Sequence, residues 1–128
     1  MNLEKVIFGF FVVLAATLNF GFFIGDLNKP DLHSPYELFA AIAVNLIATV
    51  LKFGDRTQIG AVHLATSLVA VLQLLAAGLV WVMAVNASGG TITGPQMATV
   101  VSLSGGALFA NIISVVLLVS ETVSYRRR

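Results

Sequence analysis

Residues 59–85 read IGAVHLATSLVAVLQLLAAGLVWVMAV, and no Asp, Glu, Lys or Arg interrupts them. At about 1.5 Å of rise per helical residue, this stretch outruns the roughly 30 Å hydrocarbon core of a bilayer. Three more apolar runs, residues 6–23, 36–53 and 97–120, flank it and are joined to it by short polar turns. The chain of 128 residues is 58% hydrophobic and 10% charged, with a mean hydropathy of +0.95. A soluble domain carries about 25% charged residues to cover its surface. Four such runs cannot hide in so small a soluble core. The expected fold is all-α: an integral-membrane, up-down-up-down four-helix bundle forming one domain over residues 1–128.

Charge sets the expected orientation. The basic residues are Lys5, Lys29, Lys52, Arg56, Arg126, Arg127 and Arg128. With four spans, all but Lys29 fall on one side, and short basic loops stay cytoplasmic. Both termini are therefore expected inside. Tyr36 and Trp81 fall near outer helix ends and Tyr125 near an inner end, depths at which amphipathic rings settle. The first run is longer than a signal-peptide core and no small-x-small site follows Phe23, so cleavage there is not expected.

Net charge is +1 and there is no cysteine. That leaves no field for nucleic acid, no thiolate chemistry and no cysteine metal site. No nucleophile–base pair or phosphate loop stands out, so neither a catalytic site nor a cofactor is expected. His33 beside Asp31 offers one metal ligand, but His33 and His63 fall on opposite sides and cannot share an ion. No metal site is expected.

Helix boundaries are punctuated. Ser34-Pro35-Tyr36-Glu37 reads as a capping box opening helix 2. Gly54 is placed for a left-handed cap ending that helix. Asp55 reads as the N-cap of helix 3, with Gln58 at N3. Ser88-Gly89-Gly90 stops helix 3, and Thr93 or Gly94 caps helix 4.

Polar residues within the runs are the exceptions that carry information. Asn45, Gln73 and Asn111 fall near the centres of their helices, and Asn19 about 6 Å outward of its own. Each amide is expected to face the bundle interior and find a partner. Helical spacing groups them with small residues: Glu37, Ala41, Asn45, Ala48 and Lys52; His63, Thr66, Ala70, Gln73 and Ala77; and Ser104, Ala107, Asn111 and Ser114. Ala41, Gly105, Gly106 and Ala107 are candidate packing positions, because small residues let helix backbones approach. Lys52, Arg56, His63, Arg126, Arg127 and Arg128 make a candidate inner-face contact for anionic lipid heads or an acidic partner. Glu121, beside the arginines, is expected to be solvated. Residues 41–51 and 107–117 also share the pattern Ala-x-x-x-Asn-x-Ile-small-x-Val-Leu.

The run Tyr36-Glu37-Leu38-Phe39-Ala40-Ala41, then Val44-Asn45-Leu46-Ile47-Ala48-Thr49-Val50-Leu51-Lys52, continuing to Leu64-Ala65-Thr66-Ser67-Leu68-Val69-Ala70, resembles a family of small bacterial inner-membrane proteins classed as a domain of unknown function. The resemblance covers about the first two-thirds of the chain. It implies a bacterial inner membrane and transfers no mechanism. The chain departs from small multidrug exporters, which carry a buried Glu in helix 1; no acid lies between Glu4 and Asp26 here. It also lacks the Gly-rich, Arg-containing signature of fluoride channels.

The leading expectation is a non-enzymatic, multi-pass inner-membrane protein that associates with itself or with a larger membrane complex. Lipid is its first partner. The alternative is a small channel or transporter subunit for an ion or small solute, using the layer of amides.

Overall fold

The structure is a computed structural model that describes residues 3–26 and 29–126, with side chains through Ser124 apart from that gap. Four helices account for nearly all of it: α1 (Leu3–Phe23), α2 (Pro35–Lys52), α3 (Gln58–Ala87) and α4 (Gly94–Arg126), with a 3-10 turn at Pro30–Leu32. All four are long and apolar enough to cross a membrane. Neighbours in sequence pack together, and α1 also packs on α4, so the helices close into a ring.

The bundle is inverted relative to a water-soluble protein. Its fully buried positions include Ala15, Asn19, Ala41, Asn45, His63, Ala70, Ala77, Ser104, Ala107 and Ser114. Large apolar chains such as Val50, Leu72, Leu79 and Phe109 point outward, each 60% exposed or more. In water that surface would be an aggregation liability. In lipid it is ordinary solvation, and small interior residues let the backbones approach.

The interior divides along its length. At one end Phe22, Leu38, Leu74, Met97, Val100 and Val101 pack into an apolar cluster, with Trp81 against it. At the other, Phe8, Val12 and Ala48 form a smaller one. Beside that smaller cluster lie Lys5, Lys52 and Glu121, whereas the charges at the opposite end, such as the Asp26–Lys29 pair, are exposed. Lys5 near the start of α1 meets Glu121 near the end of α4 at 2.9 Å, and Lys52 at the end of α2 lies over the Phe8 ring at 4.3 Å. We refer to the two as the apolar end and the charged end.

Several helix boundaries differ from the sequence expectation. Ser34 is the N-cap of α2 and Pro35 its first residue, but the serine side chain makes no capping bond. Glu37 turns instead toward α1, where its carboxylate occupies the space a Cβ on Gly21 would need. Gly54 is not a left-handed cap; α2 ends at Phe53 in a right-handed conformation. The N-cap of α3 is Thr57, whose hydroxyl accepts from Gly60 N at 3.0 Å. Asp55 sits one step back and holds that cap: its Oδ1 accepts from Thr57 N at 2.9 Å and Thr57 Oγ1 at 2.6 Å. These bonds favour the charged form and keep its carboxyl at about 2, below the ordinary 3.8.

At the apolar end the boundaries agree with the sequence expectation. Gly89 and Gly90 have φ of 78° and 121°, and Gly90 N donates back to Val85 O. That is the left-handed reversal that glycine permits. Thr93 caps α4 in a reciprocal box: its Oγ1 accepts from Gln96 N, and its own N donates to Gln96 Oε1.

Candidate functional site

The four amides do not meet in one layer. Asn45 is buried, but its Nδ2 donates to the carbonyl of Ala41 in its own helix at 2.8 Å. Asn19 accepts at Oδ1 from Ser104 Oγ across α1–α4 at 3.0 Å, leaving its Nδ2 without a partner. Asn111 is buried with its Nδ2 unpaired. Gln73 departs most from expectation. With Thr66 it stands off the interior stripe of α3, which runs His63, Ser67, Ala70, Leu74, Ala77. Its Oε1 lies against Gly106, where a Cβ would collide with it. Gln73 and Gly106 help line an open groove of about 420 Å³ between α3 and α4, with Ala65, Val69, Phe109 and Ala110.

The packing candidates separate in the same way. Ala41 and Ala107 are fully buried in the core. Gly105 faces α1, and a Cβ there would sit 2.7 Å from the Phe23 ring. Gly106 alone of the four faces the groove.

The charged end is built from all four helices. His63 is fully buried, and neither ring nitrogen has a hydrogen-bond partner among the described residues. It packs edge-on to Phe8 with centroids 5.0 Å apart, and Lys52 covers the same phenyl ring. Glu121 is shared: Oε2 accepts from Lys5 Nζ at 2.9 Å, and Oε1 lies 4.0 Å from His63 Nε2. One turn deeper, Thr66 Oγ1 donates to the His63 carbonyl at 3.0 Å and pairs with Ser114 Oγ across α3–α4.

Two sequence expectations change here. His63 cannot touch lipid heads or a partner, because Phe8 and Glu121 close over it. Glu121 is not simply solvated, since it bridges three helices. Its place was legible: Ser104, Ala107, Asn111, Ser114 and Glu121 recur at steps of three, four and seven on one helix face.

The charged end is also more mixed than its lysines and arginines suggest. Lys52 is mostly buried and pairs with Asp55 at 3.3 Å. Arg56 is exposed and lines a cleft of about 650 Å³ with Lys52, Glu4 and Asp55. The Arg126 side chain and all of Arg127 and Arg128 lie outside the described residues, as does the Tyr125 ring. A second cleft, of about 490 Å³, is lined by Lys5, Thr57, Gln58, Ser120, Glu121 and Ser124.

His33 lies at the apolar end and is buried as deeply as His63. Its Nδ1 is 2.6 Å from the Phe22 carbonyl oxygen, and its Nε2 is 2.8 Å from that of Asp26. The ring thus sits between two backbone carbonyls at the end of α1 and can donate its N–H to either. Among the described residues no three His, Cys, Asp or Glu side chains converge as a metal site would require.

Unpaired buried atoms are the unusual feature of this interior. A buried polar group left without a partner costs roughly 1–3 kcal/mol. Asn19 Nδ2, Asn111 Nδ2, both nitrogens of His63 and Gln73 Oε1 all fall in this class. All lie on α1, α3 or α4, and none on α2. Sequence reasoning found these residues but could not see which would pair.

No curated protein and no solved structure matches the chain. The family model described as "Family of unknown function (DUF6394)" matches residues 32–122, which takes in α2, α3 and most of α4 but not α1, and so lies further along the chain than the first two-thirds that the sequence resemblance covered. The chain belongs to that family.

Proposed function

We propose that the chain is a non-enzymatic, multi-pass protein of a bacterial inner membrane that associates with a second copy of itself through the α3–α4 groove. The helices would run up-down-up-down, with the charged end and both termini in the cytosol. The Lys5–Glu121 and Phe8–Lys52 contacts support that threading, and the basic residues at that end support the orientation.

Gln73 carries the reading. An amide near the middle of a span, at the edge of an outward groove, is costly against lipid unless it finds a partner. A carboxamide both donates and accepts, so two copies related by a two-fold axis can pair Gln73 with Gln73. Gly106 lets the Gln73 amide rest against α4, and Ala110 leaves room for the second helix to approach.

Migration in mild detergent tests this. Gly106→Leu and Gln73→Leu should each convert the protein to a monomer, and a single Val69→Cys in this cysteine-free chain should cross-link two copies on oxidation. Unchanged migration of both leucine variants, with no cross-link, contradicts the reading.

A second reading, a channel or transporter subunit for an ion or small solute, draws on the unpaired atoms of Asn19, His63 and Asn111. Reconstituted vesicles that pass no common ion, with wild-type protein or Asn111→Leu, argue against it.

A further inference from the structure

We propose that the seam between α1, α3 and α4 is a blind water inlet, open at the charged end and sealed at the apolar end. It would hold water and admit small hydrated cations from the charged end. The inference does not depend on whether copies associate.

The mouth is the cleft lined by Lys5, Thr57, Gln58 and Glu121. Glu121 is 21% exposed there, and the buried His63 ring lies 4.0 Å behind it. Beyond His63 the buried side chains stay polar: Ser114, whose hydroxyl pairs outward with Thr66, then Ser67 and Asn111, then the Ser104–Asn19 bond. Between these groups the apolar cluster contributes its smallest members, Ala70, Ala107 and Ala110, which take little space. Past Asn19 the character changes. Phe22, Leu38, Leu74 and Met97 are all completely buried and pack into the apolar cluster that closes the path.

Unpaired buried atoms recur on the residues of α1, α3 and α4 at three depths. They are both nitrogens of His63 near the mouth, Asn111 Nδ2 in the middle, and Asn19 Nδ2 at the closed end. All three side chains are more than nine-tenths buried. Buried water satisfies such groups by making about three hydrogen bonds each. The contrast with Asn45 is informative. That amide, on α2 away from the seam, has turned back to its own helix.

The absence of native cysteine makes the test clean. Single cysteines replace Ser114, Asn111 and Ser104 in the seam, with Ala41→Cys and Ala77→Cys as equally buried controls in the apolar cluster. Protein in lipid nanodiscs is treated with a small, cationic, water-soluble methanethiosulfonate. The thiolate is the reactive species and needs water to form, so the seam cysteines should react at least about tenfold faster than the controls. Radiolytic hydroxyl-radical labelling of the unmodified chain guards against misfolded variants. It should oxidise the fully buried His63 while leaving the equally buried Phe22 unmodified. Seam cysteines no faster than the controls, or a silent His63, overturn the proposal.

Discussion

The two histidines are the same residue type, equally buried, and set at opposite ends of one bundle. His33 has a carbonyl oxygen within 2.8 Å of each ring nitrogen. His63 has a partner at neither, and its nearest carboxylate is 4.0 Å away. The difference follows from what surrounds each ring. His33 sits where α1 has just ended, so free backbone carbonyls are within reach. His63 sits inside an intact helix whose carbonyls are already used, among side chains that pair with one another first. Burial alone therefore says little about a polar residue. One histidine fastens a turn, and the other is held in reserve beside an acid.

That contrast is breakable. His33→Ala removes one ring N–H donor and should lower stability by roughly 1–3 kcal/mol for the carbonyl it leaves unpaired. Unfolding in mixed detergent micelles would show it, and an unchanged midpoint would mean the carbonyl finds water instead. His63→Phe keeps the shape and removes no direct bond, so its effect should stay within about 1 kcal/mol. A larger loss would show that His63 holds the charged end together. Lys5→Met should cost about 0.2–1 kcal/mol, since the pair it breaks is partly exposed; full recovery in Lys5→Met combined with Glu121→Gln would confirm that the cost is the stranded carboxylate.

The smallest expected effect concerns Asp55. Its folded carboxyl titrates at about 2 against an ordinary 3.8, so the charged form is the one that folding favours. The stabilisation is fully present above about pH 4 and is lost as pH falls toward 2. Solvent screens the group, which limits the contribution to under about 1 kcal/mol. Melting of wild type against Asp55→Asn should show a gap at pH 6 that closes near pH 2. A constant gap would mean that the Thr57 cap does not depend on Asp55 charge.

Much of the fold was legible in the sequence because hydrophobic length is a local property. The four runs at residues 6–23, 36–53, 59–85 and 97–120 fall within a few residues of α1 to α4. Gly89-Gly90 and Thr93 were readable for the same reason, since reversals and capping boxes are made by near neighbours. Asp55 and Gly54 misled because several residues in that turn can cap, and geometry selected Thr57. Partners were the harder part. Residues 41–51 and 107–117 share one pattern, yet Asn45 bonds its own helix while Asn111 Nδ2 stays unpaired. Gln73 was assigned to the interior by a spacing that fits two adjacent faces of α3, and only the position of α4 decides between them.

An inverted bundle puts its large apolar chains in lipid and its polar ones in the interior. Photolysis of a bilayer-soluble carbene precursor in vesicles containing the protein, followed by peptide mass spectrometry, tests it directly. Labels should concentrate on Val50, Leu72, Leu79 and Phe109 and spare Asn19, His63 and Asn111. Equal labelling of both sets, or none on the first, would contradict it.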